Sequence, residues 1–197
     1  MKTPDVIDAV SPIIEAFNSL GILYYIGGSI ASSAYGVARS TLDVDMVSEL
    51  KIENAHALTE MLKGKYYIDE EMILEAVKKR SSFNIIHLET MFKVDIFLKR
   101  DDPYSREAFA RKRKENLNED RTDANLYLAS CEDIILSKLE WFRMGNEISE
   151  KQWNDVLGVI KVQGDLLDKK YLTRWAKELG LDDLLERAFK AVSHSAA

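Results

Sequence analysis

Apolar residues recur at three- and four-residue intervals through Val6, Ile7, Val10, Ile13, Ile14 and Phe17, the spacing that turns one face of an α-helix into a core. Thr3-Pro4-Asp5 supplies a cap, a first-turn proline and an acid at the positive helix end, and Gly21 supplies the stop. Ile22 to Ile26 is nearly continuous in apolar character, as in a strand buried on both faces, until Gly27-Gly28-Ser29 breaks it. A short helix is predicted over Ile30 to Tyr35, closed by Gly36. From Leu42 to Val47 the period falls to two, with Leu42, Val44 and Met46 predicted to face a core and Asp43 and Asp45 to face away from it.

Helical patterns cover Asn54 to Leu62 and Asp69 to Val77, and two strands, Phe83 to Leu88 and Phe92 to Leu98, form a predicted hairpin through Glu89-Thr90-Met91. Arg111-Lys112-Arg113-Lys114 runs into Glu115, Glu119 and Asp120, which reads as a solvated helix end or loop and, less directly, as a nucleic-acid contact. Beyond Ser130 the strands stop. Ser130-Cys131-Glu132-Asp133 and Ser149-Glu150-Lys151-Gln152 have the form of capping boxes, Asp168 and Gly180 flank another helix, and Asp182 starts the last. Trp153, Val156, Leu157 and Ile160 form an apolar stripe, and Trp141, Trp153 and Trp175 read as core. The order α-β-α-β-α-α-β-β followed by helices predicts an α+β chain: a small mixed sheet with flanking helices over residues 1–128, and a helical bundle over 129–197.

Composition changes this picture little. With 197 residues, 46% apolar and 30% charged, the chain is an ordinary globule rather than a disordered or fibrous one. The net charge of −6 disfavours broad adhesion to phosphate backbones, so any nucleic acid must be captured locally. A single cysteine, Cys131, excludes an intrachain disulfide and points to the cytoplasm. No signal peptide is read at the N-terminus, and Leu20 to Gly28 is far shorter than the about 18 residues of a membrane span, so no membrane partner is expected.

The candidate chemistry lies in three places. Asp43 and Asp45, two apart on a strand, project from one face; in the hairpin, Lys93, Asp95 and Phe97 share a face, so Asp95 joins them if the strands are neighbours. Two carboxylates about 4 Å apart repel by roughly 4 kcal/mol near a protein surface, so three call for compensation. A divalent cation supplies it, and hard oxygen donors without histidine or cysteine suit Mg²⁺ with substrate phosphates. The alternative is a solvated acidic face with Asp95 paired to Lys93 or Lys99. Gly27-Gly28-Ser29, between a buried strand and a helix start, lets backbone N–H groups approach an anion; alternatively Ser29 is only a helix cap. Arg39, just before the acidic strand, can fork onto a phosphate or onto one of the acids of that strand pair. His56, His87 and His194 lack metal-ligand spacing, Cys131 lacks a histidine partner, and Tyr24, Tyr25 or Tyr35 stand near enough in sequence to stack a base.

Gly-Gly-Ser, thirteen residues, Asp-x-Asp on a strand, and a later acid in Lys93-Val94-Asp95-Ile96-Phe97 resemble the signature of the DNA-polymerase-β-like nucleotidyltransferase superfamily. The helical tail is similar to its minimal, abortive-infection-toxin (AbiEii-like) branch, with Lys138 in Ser137-Lys138-Leu139 and Asp155 in Asn154-Asp155-Val156 at the matching positions. The resemblance implies a nucleotidyltransferase fold. It further implies that Asp43, Asp45 and Asp95 bind two Mg²⁺ ions, for which Mn²⁺ can substitute, that Gly28 and Ser29 hold the triphosphate, and that Lys138, as a catalytic residue, and Asp155 complete the site, with Gly27 and Arg39 as neighbouring candidates to bind the triphosphate. The implied reaction moves a nucleoside monophosphate from an NTP, ATP among them, to an RNA, protein or small-molecule acceptor, with a cognate toxin or antitoxin as partner. A non-catalytic nucleotide-binding regulator with the same fold is the alternative. On the residues alone, Lys138 and Asp155 are equally readable as a structural pair between packed helices.

Overall fold

Several helices begin where the sequence places an oxygen acceptor. Asp69 accepts from the Met72 N–H at 2.9 Å, Asp102 from Ser105 at 2.7 Å, Ser130 from Asp133 at 3.2 Å and Asp168 from Tyr171 at 3.0 Å, each satisfying an N–H that the helix itself leaves open. The structure, a computed structural model, describes residues 6–116 and 125–195. In chain order its elements are α1 (Val6–Ser19), β1 (Tyr24–Ile26), α2 (Gly28–Tyr35), β2 (Asp43–Ser48), α3 (Ala55–Leu62), β3 (Tyr66–Tyr67), α4 (Glu70–Lys79), β4 (Ser82–His87) and β5 (Lys93–Leu98). There follow α5 (Pro103–Ala110), β6 (Arg113–Asn116), β7 (Asn125–Leu128), α6 (Cys131–Met144), α7 (Glu150–Gln163), α8 (Lys169–Glu178) and α9 (Asp182–Ser195). Two compact units divide the chain: Met1–Gly27 with Ser40–Leu128, and Gly28–Arg39 with Ala129–Ala197.

The first unit holds a seven-stranded mixed sheet in the order β3-β4-β5-β2-β1-β7-β6. β2 runs parallel to β5 and β1 parallel to β7, while the remaining neighbours are antiparallel. Strict alternation sorts the central strands: Val44, Met46, Ile85, Val94 and Ile96 are fully buried on one face, and the charged residues between them lie on the other. Each such aliphatic side chain contributes about 1.5–3 kcal/mol on burial. The Tyr66 hydroxyl donates to the Ala9 carbonyl at 2.8 Å, tying the β3 edge to α1.

Several expectations need correction. Leu42 does not enter the core; it precedes β2 and is 68% exposed. The helix expected from Asn54 opens as a 3-10 turn, Ile52–Asn54. The basic run is a helix end only at Arg111, which caps α5; Arg113 and Lys114 belong to β6, paired antiparallel with β7. Lys112 sets its ammonium over the rings of Phe109 and Tyr127, at 4.7 and 5.4 Å from their centroids, so its charge serves packing. Trp141 is not core but half exposed. The cap expected at Thr3-Pro4-Asp5 lies outside the described residues.

In the second unit α2 packs against α6 and α7, and α8 and α9 complete the helical set. The close approach of α2 to α7 is made by two glycines. A Cβ on Gly36 would stand 2.8 Å from the Val159 backbone nitrogen, 2.9 Å from the Ser32 carbonyl oxygen and 3.0 Å from the Gly158 carbonyl carbon, while one on Gly158 would meet the Val37 nitrogen at 3.3 Å. Backbone cannot move aside as a side-chain tip can. Gly36→Ala is therefore expected to cost about 1–3 kcal/mol, read as a lower urea midpoint at unchanged slope. A variant as stable as the parent would show that α2 can shift at no cost.

Candidate active site

In the parallel register of β2 and β5, Asp43 stands opposite Lys93 and Asp45 opposite Asp95. Neighbouring strands lie about 4.8 Å apart and alternation puts all four side chains on the same face, so three carboxylates and one ammonium share one small patch of sheet. The Lys93 ammonium lies 2.7 Å from Asp95 Oδ2 and 3.8 Å from Asp43 Oδ1. Its hydrogen bond to Asp95 raises the lysine pKa; partial burial opposes this, and the charges of Asp95, Asp43 and Asp45 add to the rise. Lys93 thus compensates the acids, in the pairing weighed above as the alternative for Asp95. Lys99 bonds Glu49 instead.

Among the described residues no three His, Cys, Asp or Glu side chains are gathered, as they stand, into a group that could hold a metal ion. Hard carboxylate oxygens on two adjoining strands are chemically suited to a divalent cation, and two of the three, Asp95 and Asp43, already pair with the Lys93 ammonium. The glycine turn is tied to the same strand: the Gly27 N–H donates to the Asp45 carbonyl at 2.8 Å. Gly28 follows with φ +54°, a left-handed conformation that favours glycine, and begins α2.

In the helical unit, Asp155 of α7 is the centre of a second constellation. Arg39 grips it with two hydrogen bonds, Nε to Oδ1 at 2.9 Å and Nη2 to Oδ2 at 3.0 Å, and Lys138 of α6 donates to Oδ2 at 2.8 Å. Arg39 Nη2 also reaches the Ser29 hydroxyl. Burial opposes ionisation of Asp155, but the hydrogen bonds from Arg39 and Lys138, with their charges, outweigh it and hold the carboxyl below the ordinary aspartate value. Two cations thus converge on one carboxylate, and the Ser29 hydroxyl beside them is buried. Arg39 forks onto an acid, but that acid is Asp155 of α7 rather than one on the strands.

Tyr24 and Tyr35 are buried and not presented to a base, and Tyr25 packs on Phe109 with ring centroids 5.4 Å apart. His87 is buried, its Nδ1 2.8 Å from the Thr90 hydroxyl and its ring against Tyr66; Cys131 is buried within α6. Lys93 is the residue whose part the sequence understated, although its period-two spacing from Asp95 was there to read.

A short mixed sheet presenting Asp-x-Asp on one strand and a third acid in register on its parallel neighbour, with a glycine turn leading into a helix, is the architecture of a nucleotidyltransferase fold. The solved structures bear this out. The chain is similar to the antibiotic-resistance factor ANT(2'')-Ia, at 15% identity with 96% of each chain covered and a TM-score of 0.53. It is similar to the lincosamide antibiotic adenylyltransferase LnuA in its lincomycin-bound form, at 13% identity over 79% of this chain and 96% of that one, with a TM-score of 0.50. An antigenic nucleotidyltransferase-like protein from Paracoccidioides brasiliensis gives 18% identity, 94% and 92% coverage and a TM-score of 0.50. No protein-family model and no curated protein matches the chain. No helix among the described residues is long and apolar enough to cross a membrane.

Proposed function

We propose that this chain is a divalent-cation-dependent nucleotidyltransferase that moves a nucleoside monophosphate from a nucleoside triphosphate to an acceptor hydroxyl, releasing pyrophosphate. The observation that carries this reading is the register of Asp45 with Asp95 on two central parallel strands, with Asp43 beside them on the same face. Asp43, Asp45 and Asp95 are the residues to hold Mg²⁺, which when bound neutralises phosphate charge and lowers the acceptor's pKa. Asp95 helps to take the acceptor proton. Gly27 and Gly28 bring backbone close to phosphate, and Ser29, Arg39 and Lys138 offer it a hydroxyl and positive charge, with Asp155 holding the two cations in place. The acceptor oxygen bonds to the α-phosphorus as the bond to pyrophosphate breaks. No covalent enzyme intermediate is required, in keeping with the burial of Cys131. The finer reading, a toxin–antitoxin component of the AbiEii-like branch acting in the cytoplasm, rests on the sequence alone.

The test is to incubate the protein with each α-phosphate-labelled NTP, Mg²⁺ or Mn²⁺, and a cell extract. Label is expected to pass from one NTP to one class of acceptor, whether RNA, protein or small molecule. No transfer from any NTP overturns the proposal. A nucleotide-binding regulator without turnover is the second reading, favoured by the ion pairs of Lys93, which satisfy Asp95 and Asp43 within the chain itself. Calorimetry separates the two, since a regulator binds nucleotide with no dependence on divalent cation.

A further inference from the structure

We infer that Lys93 is a positioning residue that competes with the divalent cation for Asp95 and so keeps the acidic face closed to bare metal. This rests on the proposed use of Asp43, Asp45 and Asp95 as metal ligands. Three carboxylates and one ammonium on the shared face sum to −3 + 1 = −2. Without the lysine, the face carries −3 and draws any divalent ion more strongly. With it, Asp95 Oδ2 is already engaged at 2.7 Å and Asp43 Oδ1 lies only 3.8 Å from the same ammonium. A cation using these oxygens must displace the ammonium or sit beside it against like-charge repulsion.

The lysine can yield. Its side chain is 43% exposed, so a swing about its own rotatable bonds can carry the ammonium into water. Lys93 therefore acts as a tethered placeholder cation. It prevents mutual repulsion of the three acids, lowers their affinity for a free divalent ion, and makes loading favour conditions in which nucleotide phosphates bring compensating negative charge. The chain gains selectivity for metal accompanied by nucleotide over metal alone.

The experiment is a Mn²⁺ titration of the full chain without nucleotide, followed by paramagnetic resonance of the free ion, on the parent protein, Lys93→Gln, Lys93→Arg and Asp45→Asn. Lys93→Gln is expected to bind Mn²⁺ at least about tenfold more tightly, since a repelling charge within one strand spacing is removed. Lys93→Arg, which keeps the charge, is expected to stay within about twofold of the parent, as a purely electrostatic placeholder requires. Asp45→Asn is expected to weaken binding. Equal or weaker Mn²⁺ binding by Lys93→Gln overturns the inference while a loss in Asp45→Asn still upholds the ligand assignment. Mn²⁺ binding by none of the four proteins overturns both. Because position 93 is partly exposed, thermal unfolding is expected to show all four folded.

Discussion

Asp45→Asn is expected to reduce nucleotide transfer by roughly a thousandfold or more while leaving the fold intact, a size typical for loss of a group that stabilises transition-state charge. Asparagine keeps the shape of the side chain and removes its charge, so the exchange tests electrostatics rather than packing. Asp45 is half-buried on the open face of β2, flanked on its own strand by the fully buried Val44 and Met46, which fix the strand whatever residue 45 carries. Relief of repulsion with Asp95 makes any stability change small, within about 0.5 kcal/mol. The measurement is release of label from the α-phosphate-labelled NTP identified with the parent protein, alongside a urea melt. Transfer at the parent rate by a folded Asp45→Asn protein would remove the acidic face from the reaction and leave the regulator reading standing.

The largest effect on stability is expected at Asp155. Its removal takes a 2.8 Å ion pair from Lys138, whose side chain is only 4% exposed, and two hydrogen bonds from Arg39. Breaking a buried pair from one side costs about 3–5 kcal/mol, because the remaining charge stays buried. Asp155→Ala is thus expected to lower the urea midpoint strongly at neutral pH, and Asp155→Leu combined with Lys138→Met to recover much of the loss. The pH dependence has a definite sign. The folded-state carboxyl titrates below its ordinary value of 3.8, so its contribution is fully present above that value and disappears as pH falls through the lower folded-state one. The stability difference between the parent and Asp155→Ala is expected to narrow on acidification below 3.8. A difference independent of pH would assign the loss to packing instead.

How far the sequence reveals this molecule varies with physics, not with position. Asp43, Asp45 and Asp95 were legible because a strand's period of two dictates which side chains share a face, and burying Val44, Met46, Val94 and Ile96 turns all three acids to the other one. The strand β6 was hidden because an edge strand needs no apolar alternation. Charge there discourages pairing with other chains, and Arg113 and Lys114 mask the period. The two-residue β3 was too short to carry any pattern. Partners far apart along the chain were the least visible. Arg39 reads in the sequence as a fork for a phosphate or for one of the acids, but its hold on Asp155 is a property of tertiary packing that no local pattern encodes.

The membership of α2 in the helical unit has a consequence for biosynthesis. Its nucleating partners lie far downstream: Gln163 donates to the Tyr35 carbonyl across 128 positions, and Arg39 meets Asp155 across 116. At ribosomal speeds of about 5–20 residues per second, α2 waits on the order of ten seconds for its mates to emerge. During that interval an eight-residue helix has little intrinsic tendency to persist. The nascent chain can therefore finish its sheet but not this loop of helix, and a ribosome that stalls before α7 releases a product lacking the Arg39–Asp155 clasp.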